Sequence, residues 1–328
     1  MENTIRHFDY LDFAKGIGII LVIMGHTIFP VHEAISIFHM PLFFFLAGIT
    51  LKIYPDFELF LLRKTDRIFI PYLFFSFLSF ITARIVGYEG SIFNGPLWFL
   101  QSLFGALIIS ELVLKSEKLN KWSWAFLLAF VTYTYISSHS KYPFFPFDTD
   151  FDIMIRSSVY VLAGYYLKDF VFTYSIRDTK LNSALVFIIM SIFFAVLCYV
   201  SIFKLGAGGG WLYGEILRYN ILLFYLTSLA GIFTVISFCK TFESSKAIKP
   251  FIWLGRNSLV IMCVHYPFLQ WWNQLMSSWD FYANGDYMQK ALIALLSYSI
   301  AIAFSLPFVF LSKRVFPHLT GYKSILSK

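Results

Sequence analysis

Ten apolar runs, each long enough or nearly long enough to cross a bilayer as a helix, recur along the 328-residue chain at 8–29, 35–53, 68–87, 96–114, 122–137, 153–167, 181–203, 216–238, 251–275 and 291–311. Backbone N–H and C=O groups find no water inside hydrocarbon, so runs of this length fold as helices. Charged residues make up only 14% of the chain and apolar ones 58%, against about 25% charged in a soluble domain. The expectation is an all-α polytopic transmembrane helical bundle of about ten spans. Forty phenylalanines and the lack of an acidic or basic tail leave no stretch for a separate soluble domain, so residues 1–328 are read as a single integral-membrane domain. The sixth run is the weakest. It is short and contains Arg156, and nine spans or a re-entrant segment is the alternative there.

Charge distribution sets the orientation. With ten spans and the N-terminus inside, twenty of the 26 Lys and Arg residues fall on the inner side and six on the outer, the asymmetry expected of cytoplasmic loops. An N-in, C-in topology follows. The net charge of +7 is read through this asymmetry, with no nucleic-acid partner. Cys198, Cys239 and Cys263 lie in apolar segments without metal-ligand or disulfide spacing and are read as packing residues. Residues 17–24 have about the length of a signal-peptide core, but Asp9 and Asp12 stand where a basic region belongs and no small-x-small site follows.

The first run, FDYLDFAKGIGIILVIMGHTIFP, places a lysine and a histidine inside apolar sequence. On a helix, eleven positions bring Lys15 and His26 within about 20° of each other and roughly 16 Å apart along the axis. Gly18, Val22 and Gly25 share that face, which reads as a narrow groove for a thin, extended ligand between a fixed cation and a titratable imidazole. Taken singly, each residue has a plain explanation: a snorkelling lysine, a hydrogen-bonded core histidine, and glycines for helix packing. Together they are a functional-site hypothesis, because ionisable groups in a membrane segment are expensive.

Other features arrange themselves around this face. The short first outer turn makes helices one and two antiparallel neighbours and puts His39 at the depth of His26, either supporting the site or capping its helix. In RKTDRIFIPY, Arg63 and Arg67 are four apart and share a face suited to phosphate oxygens, on the side where Lys15 enters the membrane. A positive-inside signal is the simpler account of that cluster. The outer loop YPFFPFDTDFD reads as an aromatic belt with solvated carboxylates or as a saccharide-binding lip, GAGGGW as a flexible loop, and Glu215 with Arg218 as a pair one turn apart. In LGRNSLVIMCVHYPF, Ser258 and His265 are seven apart and close to one face, while Asn257 beside Arg256 reads as a helix N-cap. Neither a metal-ligand cluster nor a Gly-rich nucleotide loop appears.

Five pieces in order, DYLDFAKGIGIILVIMGH, FHMPLFFFLAG, RKTDRIFIPY, GPLWFLQSLF and GRNSLVIMCVHYPF, resemble the integral-membrane acyltransferase 3 family and, within it, the fucose 4-O-acetylase-like sugar O-acetyltransferases. The resemblance implies a multi-pass enzyme of the bacterial plasma membrane that moves an acyl group, usually acetyl, from cytoplasmic acyl-CoA to a hydroxyl of a cell-surface or lipid-linked glycan. It implies His26 as the catalytic residue and Lys15, Arg63 and Arg67 as donor-binding residues. The arginine spacing here, with three residues between, departs from the family motif. Asp12, His39, Trp98, Asn257, Ser258 and His265 are assigned supporting places. Acyl-CoA is a substrate, and no permanently bound cofactor or metal is expected. The imidazole acts either as a base on the acceptor hydroxyl or as a nucleophile through an acyl-histidine. The alternative from another class is a glycan or lipid-intermediate transporter, in which His26, His39 and His265 line a pathway and Pro41, Pro267 and Pro307 break helices.

Overall fold

The computed structural model of the chain describes residues 8–27, 32–86, 97–116, 151–177, 180–204, 221–276 and 285–326. Every regular element among them is helical: α1 (Asp9–Gly25), α2 (His32–Ile49), α3 (Phe57–Lys64), α4 (Ile70–Val86), α5 (Trp98–Lys115), α6 (Phe151–Arg177), α7 (Lys180–Cys198), α8 (Ile221–Thr241), α9 (Lys249–Arg256), α10 (Ser258–Met276) and α11 (Tyr287–Arg314). Two π-helical segments, Thr65–Phe69 and Tyr199–Lys204, join α3 to α4 and extend α7. The expectation of an all-helical membrane architecture holds. Among the described residues five helices, α2, α5, extended α7, α8 and α11, are long and apolar enough to cross a membrane, or six if α9 and α10 form one broken span. Leu185, Ile188, Ile192 and Phe193 lie exposed along α7, a face that belongs against lipid rather than water.

Helix α1 is the centre of the bundle and packs against α2, α8, α9, α10 and α11. Its Tyr10, Ala14, Ile19 and Ile23 are wholly buried. Asp9 and Asp12 occupy its first turn, where carboxylates suit the exposed N–H groups of a helix N-terminus. Two glycine crossings bring backbones together, as small residues do between membrane helices. A Cβ on Gly16 would run into the carbonyl of Phe251, and one on Gly255 into the carbonyl of Asp12, so α1 and α9 touch main chain to main chain. Gly48 and Gly164 make the same kind of contact between α2 and α6, against Val161 and Phe45 respectively.

Three local expectations change. The sixth apolar run, short by hydropathy, is part of the 27-residue helix α6. Lys168 and Asp169 end the apolar run without ending the helix: Lys168 favours helix and folds over the Tyr165 ring at 3.8 Å, and Asp169 costs a helix at most about 0.7 kcal/mol. Helix α2 begins at His32, so His39 lies two turns inside it and caps nothing. The ninth run is not one helix: α9 and α10 meet at Asn257 with a 75° bend. The fifth run, residues 142–150 of the aromatic loop, the GAGGGW loop, Glu215 and Arg218 lie outside the described residues.

Beyond α11 the chain turns back at 315–326 as a strap. Asp66, buried in the π segment between Arg63 and Arg67, accepts hydrogen bonds from the Ser324 hydroxyl and from the backbone N–H groups of Ile325 (3.1 Å) and Leu326 (2.9 Å). Gly321, at φ 76°, supplies the left-handed turn that lays the strap against the Arg67 carbonyl. The Tyr322 hydroxyl then donates to Asn257 Oδ1 at 2.8 Å. The strap thereby ties the arginine-bearing segment to the bend between α9 and α10, and places both at the same end of the bundle.

Candidate functional site

At that end a compact ionic cluster joins α1 to the α9 terminus. Arg256 donates from Nε to Asp12 Oδ2 and from a terminal nitrogen to Asp9 Oδ1, both at 3.0 Å, while Lys15 Nζ reaches Asp12 Oδ1 at 3.2 Å. The Asp12 side chain is 8% exposed and the Arg256 side chain 51%. Asp12 is thus the hub: a nearly buried carboxylate holding two cations at the rim. The Gly16 and Gly255 crossing makes this possible, because only contact of α1 and α9 at backbone distance lets the residue after Gly255 fork around the first turn of α1.

Asn257 follows directly and is almost fully buried. Its Nδ2 donates to the Trp253 carbonyl at 2.6 Å and its Oδ1 accepts from Tyr322, so its side chain does not serve as the N-cap that the sequence suggests. Instead the amide pins the bend. Ser258 opens α10, half-buried, two helical turns before His265.

Arg63 and Arg67 are both exposed. Arg63 stacks on Tyr54, with its guanidinium carbon 5.0 Å from the ring centroid and Nη1 3.4 Å from the hydroxyl. Tyr54 is held in turn by Glu111, whose carboxylate accepts its backbone N–H at 3.3 Å and lies 3.6 Å from Lys115 Nζ. Burial lowers Lys64 to about 8, with the Glu111 carboxylate opposing that shift and the Arg67 charge adding to it. Trp98 is the first residue of α5, half-buried, with its ring edge-on to Phe99.

The other end of α1 carries the histidines. His26 stands at the C-cap of α1, and its ring lies 5.5 Å from that of His265 and 5.0 Å, edge-on, from that of Tyr266, centroid to centroid. Asn273 Nδ2 donates to the His26 carbonyl at 3.4 Å. His39 approaches from α2: its ring atoms are 3.9 Å from where a side chain on Gly25 would begin. His32 completes the set of imidazoles within electrostatic reach of His26. Four histidines from three helices therefore converge about 16 Å along α1 from Lys15.

The small-residue face between the two ends is not an open groove. Leu42 and Phe43 of α2 cover Gly18, and Val22 is buried. Glycine spacing signals close helix approach as readily as it signals free space, and here α2 takes the space.

Apart from Arg63, Arg67, Trp98 and Ser258, the residues named from sequence fall into two groups. Asp12 and Lys15 meet at the charged end, with Asn257 beside their partner Arg256; His26, His39 and His265 meet at the other. Arg256, Asp66 and Tyr322 carry structural weight that pattern reading did not assign. For Arg256 the signal is Gly255 before it, a small residue in an otherwise bulky segment. A family model described as an acyltransferase domain, acyltransferase 3, matches residues 8–314. The chain belongs to that family. The match takes in both ends of α1, Arg63, Arg67 and the bend at Asn257, and stops before the strap. No curated protein and no solved structure matches the chain. Family membership and the apolar helices together make it a membrane acyltransferase.

Proposed function

We propose that the protein transfers an acyl group, acetyl foremost, from cytoplasmic acyl-CoA to a hydroxyl of a cell-surface or lipid-linked glycan, as a ten-span, N-in, C-in, single-domain protein of the bacterial plasma membrane. The observation that carries this is the pairing of a cationic rim at one end of α1 with a buried imidazole cluster at the other. Coenzyme A is a polyanion on a long thin arm. Arg63, Arg67 and Lys15 meet its phosphates, joined by Arg256, which shares Asp12 with Lys15. Arginine suits this task because its planar fork binds phosphate oxygens in pairs. Because Leu42 and Phe43 fill the face at Gly18, the arm passes beside that face toward His26 rather than along it.

At the histidine end the acceptor hydroxyl attacks the thioester carbonyl while His26 takes its proton. The acyl C–O bond forms, the C–S bond breaks, and the proton passes from His26 to the departing thiolate. His26 suits a base on geometric grounds, since it stands at a helix terminus, half-buried, where a substrate oxygen can arrive. Trp98 and Ser258 remain supporting assignments from the family resemblance.

One observation favours a transporter instead: the span broken by 75° at Asn257, since discontinuous helices line many transport pathways. An assay on purified protein in lipid nanodiscs separates the two. Acetyl-CoA should be consumed, with free thiol released, and acyl groups should disappear from the surface glycan of a deletion strain. Glycan movement without thioester consumption would establish the transporter.

A further inference from the structure

Two histidines in this bundle are locked in the same way and a third is not. His39 Nδ1 lies 2.8 Å from the Ile35 carbonyl, and His265 Nδ1 lies 3.0 Å from the Ile261 carbonyl, each four residues back on its own helix. A carbonyl oxygen only accepts, so Nδ1 carries the proton in both rings, and in a neutral ring Nε2 is then an acceptor. On His265 that acceptor is wholly enclosed, and no described residue donates to it. A buried acceptor without a donor is unfavourable, so a donor that comes within reach of this nitrogen is held there.

His26 is the neighbour that can supply one. Its ring is 5.5 Å from that of His265 and tilted by 37°, and no backbone carbonyl fixes it among the described residues. Tyr266, next to His265 on α10, meets it edge-on, and Asn273, two turns further along, holds its main-chain carbonyl. One face of α10 therefore borders His26 through two rings and a bond to its main chain. Hydrogen bonds of catalytic groups are often long before substrate binds and tighten in the complex.

We infer that His265 is a positioning residue: its Nε2 accepts the N–H of one ring nitrogen of His26, so that the other nitrogen presents its lone pair to the acceptor hydroxyl. This rests on His26 acting as the base. The hydroxyl proton moves to the free nitrogen of His26, the imidazolium keeps its second N–H on His265, and the proton then leaves on the coenzyme A thiolate. His265 itself stays neutral throughout, its Nδ1 proton held by Ile261. The role parallels that of the carboxylate that orients a catalytic histidine in serine hydrolases, played by a locked imidazole that brings no charge into the membrane.

The test uses full-length protein in nanodiscs labelled with 15N-histidine, whose ring shifts report the tautomer, together with steady-state kinetics. The wild type should show a single His26 tautomer when a non-transferable acyl-CoA analogue is bound. His265→Leu should give a mixture and lower kcat on the order of 10–100-fold, the scale of losing the partner that orients a functional histidine, with the donor KM unchanged. His265→Gln, which returns an acceptor oxygen near the Nε2 position, should restore one tautomer and most of kcat. Unchanged kcat and tautomer in His265→Leu would overturn the inference, as would a glutamine variant no better than leucine. If the leucine variant does not assemble, the glutamine variant decides: wild-type tautomer and kcat support the role, and a mixed tautomer sinks it. His26→Ala is the separate control. Retained transfer there defeats the base assignment itself, whereas an inactive His26→Ala with an unaffected His265→Leu defeats only the positioning role.

Discussion

The two ends of α1 hold their functional side chains by opposite means. At the charged end, guanidinium and ammonium groups sit half in water, bound to carboxylates that already satisfy them: Arg256 to Asp9 and Asp12, Lys15 to Asp12. At the other end, His39 and His265 are buried and clamped by main-chain carbonyls of their own helices. The Arg256–Asp9 pair is half-exposed on both sides, and pairs of that kind are worth roughly 0.2–1 kcal/mol, so a polyanion can recruit Arg256 by displacing Asp9 while the nearly buried Asp12 keeps its hold on both cations. A buried, backbone-locked imidazole cannot rearrange at comparable cost, and fixed groups are what stabilise a transition state without reorganisation. The charged end should therefore govern donor affinity and the histidine end the chemical step.

The largest effect tests that division directly. His26→Ala should abolish transfer, since loss of a general base costs roughly 10²–10⁴ in rate, while acyl-CoA binding measured by calorimetry stays close to wild type. Loss of donor binding in a well-folded His26→Ala protein would show that the two ends are not separable. Next comes Arg67→Ala, which should raise the donor KM by about 10–100-fold with kcat little changed, the equivalent of one charge-assisted contact of about 1.5–3 kcal/mol. Arg67→Lys should recover only part, because an ammonium lacks the planar fork. A kcat defect at unchanged KM would move Arg67 into the chemistry and erase the contrast.

The histidine end was easier to read from sequence than the charged end, and the reason is physical. His26 and Lys15 lie on one helix, where an eleven-residue spacing fixes their separation, and His39 follows only thirteen residues after His26, on the next helix. His265 stands out because a histidine in an apolar run is costly whatever surrounds it. Arg256 stands out less: a basic residue at a helix end reads as a topology signal, and only Gly255 before it marks the backbone crossing that gives its grip on Asp12, 244 residues away in sequence. Asp66 and Tyr322 are legible only after folding, since their partners lie on a strap with no periodicity. Hydropathy also misled twice. It shortened α6, whose polar half is as helical as its apolar half, and it ran α9 into α10, because a bend held by one amide does not interrupt apolar sequence.

The strap offers a smaller perturbation of the charged end alone. Tyr322→Phe removes the hydroxyl that Asn257 Oδ1 accepts and little else, a loss of about 1 kcal/mol. If the strap sets the spacing between the arginine segment and Arg256, the donor KM should rise about two- to fivefold with kcat unchanged. An effect on kcat of the same size would mean that the bend at Asn257 also positions the histidines through α10.

The smallest expected effect concerns protons. Burial lowers Lys64 to about 8, so this lysine loses its charge across the range from about pH 7 to 9, where an ordinary lysine near 10.4 remains fully charged. The sign follows from the ligand. Coenzyme A phosphates are fully ionised above pH 7 and favour the charged ammonium, so donor affinity should fall as pH rises through 8, and at pH 9 only about one tenth of the free protein carries charge at this site. The shift expected is modest, up to about fivefold, because a partly exposed charge contact is worth at most about 1 kcal/mol. Lys64→Arg should flatten the profile at high affinity and Lys64→Gln at low affinity. An unchanged slope in both variants would keep Lys64 out of the donor site and leave the phosphates to Lys15 and the arginines.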